Sequence, residues 1–320
     1  MTDIFQRATR PNRDLFFQKN DANDIRLGEI VSREIDVYAA SEIIILGCPQ
    51  DEGVRRNGGR VGAALAPDAI RTQFYKLTNF GVDAKIFDIG DTIIQKTLEK
   101  THETHTEIVE QILRDGKKII ILGGGNDISY ADGRAMAKVF GFENWIAFNI
   151  DAHFDVRADF PPNSGTPYRQ LLEEEFVKPE NFFETAYQSQ ANSQFYFDYL
   201  KRKSVNLASL EKMRRNAGYN FVKMAADFQA MFINRKNIRE MSFFFGFDVD
   251  SVRASDAPGV SAASPIGLTA EEFVELAKLA GENAQTRIIE FTETNPNFDI
   301  DNRTTKLVAI AMHRFCGACK

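Results

Sequence analysis

The sequence predicts an α/β protein whose sheet is mostly parallel and carries helices on both faces. Three observations support this. Short apolar runs alternate along the chain with stretches of helical length. The runs are continuously apolar, as in Ile43-Ile44-Ile45-Leu46 and Ile119-Ile120-Ile121-Leu122, which suits strands buried on both sides. Several runs also end in glycines, carboxylates or amides, the groups that open α/β sheets place beyond the carboxyl ends of their strands.

Residues 1–40 are polar and mixed, and no arrangement follows from them. Ile43–Gly47 is the first buried strand. The segment Gly53-Val54-Arg55-Arg56-Asn57-Gly58-Gly59-Arg60-Val61-Gly62 is too rich in glycine for a helix and reads as a loop. A helix opens near Ala66, with Pro67 in its first turn, where a missing N–H costs nothing. Ala84–Gly90 reads as a second strand. A polar helix from about Thr101 to Arg114 follows, ending at Gly116. Lys118–Leu122 is the third strand and runs into Gly123-Gly124-Gly125-Asn126-Asp127, and a helix from Asp127 reaches about Val139. Trp145–Ile150 is the next buried strand.

Beyond Pro162 the pattern loosens. A loop to Arg169 and a helix precede strands at Phe182–Tyr187 and Val205–Leu207, and a further helix follows. Ser242–Phe247 is strongly apolar and ends in Asp248-Val249-Asp250. Thr269 followed by Glu272 has capping-box spacing. Arg287–Phe291 is the last strand and leads to Glu293, and a final helix spans about Asn302 to Arg314. No repeat, low-complexity tract or linker divides the chain, so one domain over 1–320 is expected.

Composition narrows the function. With 320 residues, 43% of them hydrophobic, the chain can bury a large core. A formal net charge of -6 argues against a nucleic-acid partner, and Lys201-Arg202-Lys203 and Arg214-Arg215 read as solvated helix faces. No secretion signal opens the sequence, and no run approaches the roughly 20 apolar residues of a membrane span. Cys48, Cys316 and Cys319 make no disulfide framework, and Cys316-Gly317-Ala318-Cys319 lacks the second pair a zinc site needs. A soluble cytoplasmic protein acting on a small molecule is expected.

The chemistry concentrates at strand ends. Trp145–Ile150 leads into Asp151-Ala152-His153-Phe154-Asp155-Val156-Arg157. If the strand continues, Asp151, His153 and Asp155 share a side. Like charges that close are costly to bury unpaired, and a cation satisfies them. Asn126 with Asp127, Asp248 with Asp250, and Glu293 occupy the same topological position on other strands. A set of carboxylates with one imidazole and no thiolate suits Mn²⁺ better than structural zinc. Asp155 and Asp250 are candidates to bridge two ions, which at about 3.5 Å separation activate a shared water.

These segments resemble the signature segments of the ureohydrolases, the family of arginase, agmatinase, guanidinobutyrase and formiminoglutamase. The matching residues are Asp151-Ala152-His153-Phe154-Asp155, Phe247-Asp248-Val249-Asp250 and Glu293-Thr294-Asn295-Pro296. Gly123-Gly124-Gly125, Ser164-Gly165-Thr166-Pro167 and Ala257-Pro258-Gly259-Val260-Ser261 support them. The resemblance runs from about Ile43 to the C-terminus. It implies a three-layer α/β/α, arginase-like fold with an eight-stranded, mostly parallel sheet, assembled as a homo-oligomer, a trimer or hexamer. It also implies hydrolysis of a C–N bond at a guanidino or formimino carbon with two Mn²⁺ ions. By position, Asn126, Asp151, His153, Asp155, Asp248 and Asp250 would be the metal ligands. Glu293 and His153 would be catalytic, with Glu293 also orienting the cationic end of the substrate.

Two departures sharpen the resemblance. Where the family usually places a histidine after the Gly-Gly motif, this chain has Asn126, a weaker neutral ligand. Asn126 coordinates, or Asp127 substitutes, or one site is empty. The asparagine looks more like some formiminoglutamases than like arginases. In addition, the Ser164–Gln170 loop has no histidine, which leaves Tyr168 or metal-bound water to protonate the leaving group. His102 and His105 read as surface residues of a polar helix, and His313 as a packing or surface residue.

Arg157 follows Asp155 by two residues, where a guanidinium suits a carboxylate. Arg60 and Ser164 are the other expected substrate contacts. Two arginines fit a substrate with two carboxylates, such as N-formimino-L-glutamate, whose hydrolysis to L-glutamate and formamide is a step of histidine degradation. Two alternatives stand beside this: hydrolysis of another guanidino acid, arginine included, and a metal-poor paralogue that binds a small acid or an oligomer partner without catalysis.

Overall fold

The apolar runs become the strands of one sheet. In the computed structural model, which describes residues 4–319, these are β1 (Ala8–Thr9), β2 (Ile43–Gly47), β3 (Ile86–Thr92), β4 (Lys118–Leu122) and β5 (Trp145–Ile150). They continue as β6 (Phe182–Tyr187), β7 (Asn206–Ser209), β8 (Ser242–Asp248) and β9 (Thr286–Thr292). The order is β1-β3-β2-β4-β9-β8-β5-β6-β7. Eight strands are parallel, as the resemblance implies. The ninth is the two-residue β1, which pairs antiparallel with β3 and gives the N-terminal segment its place at the sheet edge.

Strand alternation divides the core into two layers. Ile43, Ile45, Ile120, Phe148, Phe245 and Ile289 face the helices Ala66–Phe74, Phe221–Ile233, Ala270–Glu282 and Arg303–Ala318. Ile44, Leu46, Ile119, Trp145, Phe244 and Ile288 face Leu98–Arg114, Ile128–Phe140 and Gln194–Lys203. This is the three-layer α/β/α arrangement. Phe148 anchors the first layer, stacked on Phe245 with centroids 4.4 Å apart and edge-on to Phe228. Aromatic pairs of this kind add about 0.5–1.5 kcal/mol beyond the area they bury.

Local expectations mostly hold, with four corrections. The glycine-rich segment begins as a short helix, Glu52–Arg56, before Gly58 with φ 73° turns the chain. The final helix continues through Ala318, so Cys316 is a buried core residue of its last turns. His102 and His105 are buried, not on the surface. They lie on the stripe Leu98, His102, His105, Val109, Ile112, whose spacing is that of the inward face of a helix. The strand carrying Asp151 stops at Ile150. Among the described residues, no helix is long and apolar enough to cross a membrane.

Candidate metal centre

The four central strands, β4, β9, β8 and β5, lie side by side, and their carboxyl ends bring the polar residues together. Strand alternation does not do this for Asp151, His153 and Asp155. The chain leaves β5 in a series of bends in which His153 N–H donates to Asp151 Oδ1 at 2.7 Å and Asp155 takes φ 47°. At the end of β8, Asp250 N–H donates to Asp248 Oδ1 at 2.9 Å. Glu293, with φ 61°, donates its N–H to Gly124 O at 2.8 Å and accepts the Asn126 N–H on Oε1 at 2.9 Å. Two non-glycine residues in the left-handed region at one site are an unfavourable local conformation that the surrounding contacts hold in place. Gly124 is required here, since a Cβ would lie 1.5 Å from Gln50 O.

Two groups of potential ligand atoms result, one of Asp151, His153 and Asp250 and one of Asp151, Asp155 and Asp248, with the atoms of each group within 4.8 Å of one another. The residue common to both is Asp151, whereas Asp155 and Asp250, the expected bridging pair, fall in one group each. His153 Nδ1 stands 3.4 Å from Asp151 Oδ1 and 3.3 Å from Asp250 Oδ1. Burial, with neighbouring carboxylates adding to it, pushes Asp151, Asp155, Asp248 and Glu293 above the usual carboxylate range. Asp250 leads the causes that push His153 up to about 12. Glu293 Oε2 is buried and has no hydrogen-bond partner, and buried Asp250 Oδ1 has only the His153 imidazole beside it. Crowded carboxylates, an imidazole between two of them and an orphaned oxygen fit divalent cations bound through oxygen and nitrogen.

A cavity of about 190 Å³ opens over these groups, and His153, Asp155, Asp248, Asp250 and Glu293 line it. Arg157 and Ser164 line it as expected, but Arg60 does not. The Arg60 guanidinium donates to the carbonyls of Ser261 and Val260 and stacks 4.1 Å from the Phe298 ring centroid, so it braces the neighbouring loop. Asp127 belongs to neither group of ligand atoms and does not line the cavity, and its Oδ2 accepts from Gln50 Nε2 at 2.8 Å and pairs with His102 Nε2 at 2.7 Å. Tyr168 does not line the cavity. Its buried hydroxyl lies beneath Gly246, whose added Cβ would meet it at 2.6 Å.

Sequence reasoning missed Asn57 and Ser261, which also line the cavity. Asn57 accepts from Arg157 Nη1 at 3.1 Å and donates to Ser164 Oγ at 3.0 Å. The turn Asn57-Gly58-Gly59 after a strand was the available signal.

The fold and this centre agree with the family comparison. The model of the arginase family matches residues 41–317, and the chain belongs to that family. Among its relatives, the formimidoylglutamase of Staphylococcus carnosus strain TM300 is 33% identical over 292 residues, covering 91% of this chain and 90% of that protein. The formimidoylglutamase of Staphylococcus aureus strain bovine RF122 / ET3-1 is 31% identical over 315 residues, covering 98% and 96%. The crystal structure of Trypanosoma cruzi formiminoglutamase with Mn²⁺ superposes with a TM-score of 0.83 at 33% identity, covering 92% of this chain and 98% of that one. Bacillus subtilis formimidoylglutamase shares the fold, with a TM-score of 0.83 at 24% identity over 94% of each chain.

Proposed function

We propose that this chain is a Mn²⁺-dependent hydrolase that converts N-formimino-L-glutamate and water to L-glutamate and formamide, a step of histidine degradation. The observation that carries the reading is Asp151, shared by two groups of ligand atoms whose other members, His153, Asp155, Asp248 and Asp250, line a cavity together with Arg157. Relatives named for this activity, similar over nearly their whole length, support it.

In this reading Asp151, His153, Asp248 and Asp250 would hold one ion, and Asn126, Asp151, Asp155 and Asp248 would hold the other. When bound, a pair of such ions lowers the pKa of a water between them and steadies the charge of the tetrahedral centre. The chain's own residues do the rest. Glu293 Oε2, orphaned and facing the cavity, pairs with the cationic amidine-type end and sets the formimino carbon over the floor. Arg157, braced by Asn57, takes a carboxylate of the glutamate portion, and Ser164 lies beside it. Water adds to the formimino carbon, the bond to the glutamate nitrogen breaks, and that nitrogen leaves with a proton as the amine of glutamate. We also assign the chain to one arginase-like domain, active as a cytoplasmic homo-oligomer.

The test is turnover by the purified protein with Mn²⁺, offered N-formiminoglutamate, arginine, agmatine and guanidinobutyrate. Formamide from the first alone is expected. Urea from any of the others would sink the assignment.

A further inference from the structure

Asn126 is the amide among the candidate ligands, and buried hydrogen bonds lead away from it. Its Nδ2 donates to Asp155 Oδ2 at 2.6 Å. Its Oδ1 lies 3.0 Å from Ser129 Oγ and 2.9 Å from Thr292 Oγ1. Ser129 Oγ is also 2.7 Å from Glu290 Oε2. A hydroxyl has a single proton, so Ser129 cannot donate to both Asn126 and Glu290.

The next residues decide where that proton goes. Glu290 and Asp132 are fully buried carboxyls close enough to act on each other. Each keeps one oxygen with no hydrogen-bond partner, Glu290 Oε1 and Asp132 Oδ2. Two buried carboxyls this close cannot both be ionised, so a proton is shared between them. Asp132 Oδ1 is occupied by His105 Nε2 at 3.0 Å, and His105 Nδ1 by Thr92 Oγ1 at 2.6 Å. Glu290 Oε2 is therefore left as an acceptor, and the proton of Ser129 belongs to it. Ser129 Oγ then faces Asn126 as an acceptor, which matches the amide nitrogen and not its oxygen. The Thr292 hydroxyl can accept the second N–H.

We propose that Ser129 and Thr292 are positioning residues that hold the Asn126 amide nitrogen and so present its oxygen to the cation beside Asp155. The chain Glu290–Asp132–His105 fixes the polarity of the Ser129 hydroxyl. A half-turn of the amide relates this arrangement to the one in which Nδ2 meets Asp155, and a Ser129 hydroxyl committed to Glu290 favours the first. A neutral amide can thus occupy a position where its family usually has an imidazole, provided both hydroxyls are present. The inference rests on the two-ion reading of the site.

The experiment is Mn²⁺ titration of the purified full chain and its variants by calorimetry, with electron paramagnetic resonance to resolve coupled from single ions. Ser129→Ala and Thr292→Val should each weaken one of the two ions about tenfold or more, the usual effect of losing an outer partner of a ligand. The second ion should be unaffected. Thr292→Ser, which keeps the hydroxyl, should bind as the unsubstituted protein does. Adding Asn126→His to Ser129→Ala should restore the weakened ion, since an imidazole needs no amide orientation. Affinities for both ions unchanged from the unsubstituted protein in Ser129→Ala and Thr292→Val would overturn the proposal. So would a loss in Thr292→Ser equal to that in Thr292→Val, or no recovery on adding Asn126→His. Failure of the parent reading looks different, as Mn²⁺-loaded unsubstituted protein that releases no formamide.

Discussion

Arg157 Nη1 donates to Asn57 Oδ1 at 3.1 Å, and this bond ties the guanidinium at the cavity mouth to the loop that follows β2. The Arg157 stem lies against Gly165, where an added Cβ would meet Cδ at 3.0 Å. Charge-assisted bonds are worth about 1.5–3 kcal/mol, roughly 10–100-fold in binding. Arg157→Ala should therefore raise KM for N-formiminoglutamate by about that factor with a smaller change in kcat. Asn57→Ala should move KM in the same direction by less. Steady-state kinetics checks both, and an unchanged KM in Arg157→Ala would remove the residue from substrate binding.

Asp151 belongs to both groups of ligand atoms, so its replacement should empty both. Asp151→Asn should bring bound Mn²⁺ per chain close to zero by metal analysis, while Asp250→Asn should affect chiefly one ion. In the presence of a chelator the sign reverses. Removing one of several crowded, buried carboxylates relieves repulsion, and Asp151→Asn should melt higher than the unsubstituted protein.

Stability should depend on pH in opposite ways with and without the ion. Asp151, Asp155, Asp248 and Glu293 are held above their ordinary values, chiefly by burial. Above about pH 4, each keeps in the folded state a proton that the unfolded chain has released, so its contribution is lost as pH rises. His153, pushed up to about 12 first by Asp250, acts with the same sign above its ordinary 6.5. His105, lowered to about 3, and Asp132, raised to about 7, contribute opposing slopes. Chelator-treated protein should melt higher at pH 5.5 than at pH 8.5. Mn²⁺ binds the deprotonated forms and should reverse that order. A chelated melting temperature that rises with pH would contradict this account of the site.

His102 supports Asp127, which it meets at 2.7 Å in a buried position. His102→Ala leaves that carboxylate with Gln50 alone and should cost about 1–3 kcal/mol, read as a lower urea midpoint with an unchanged slope. His102→Gln, which keeps a donor, should recover part of the loss. Equal midpoints for all three proteins would place His102 outside the support of Asp127.

The sequence by itself determined the sheet and pointed to the side chains that gather at its carboxyl end. Continuous apolar runs such as Ile43–Leu46 and Phe243–Phe245 can be satisfied only between two helix layers, and periodicity shows this without coordinates. The carboxylates at the ends of β4, β5, β8 and β9 were legible because parallel strands end on one side of the sheet. Tertiary structure alone decided the partnerships. The bends after Ile150 place Asp151 in both groups of potential ligand atoms, a matter of loop dihedrals that side-chain alternation does not encode. Arg60 and Tyr168 were plausible by position, yet the carbonyls of Val260 and Ser261 engage the first and Gly246 covers the second. His102 and His105 looked like surface residues because the helix around them is polar. Their carboxylate partners, Asp127 and Asp132, are 25 and 27 residues away, so only packing could show that burial leaves them hydrogen-bonded. Residue type and period act locally along the chain, whereas the partner of a buried polar group is set by which distant segment packs against it.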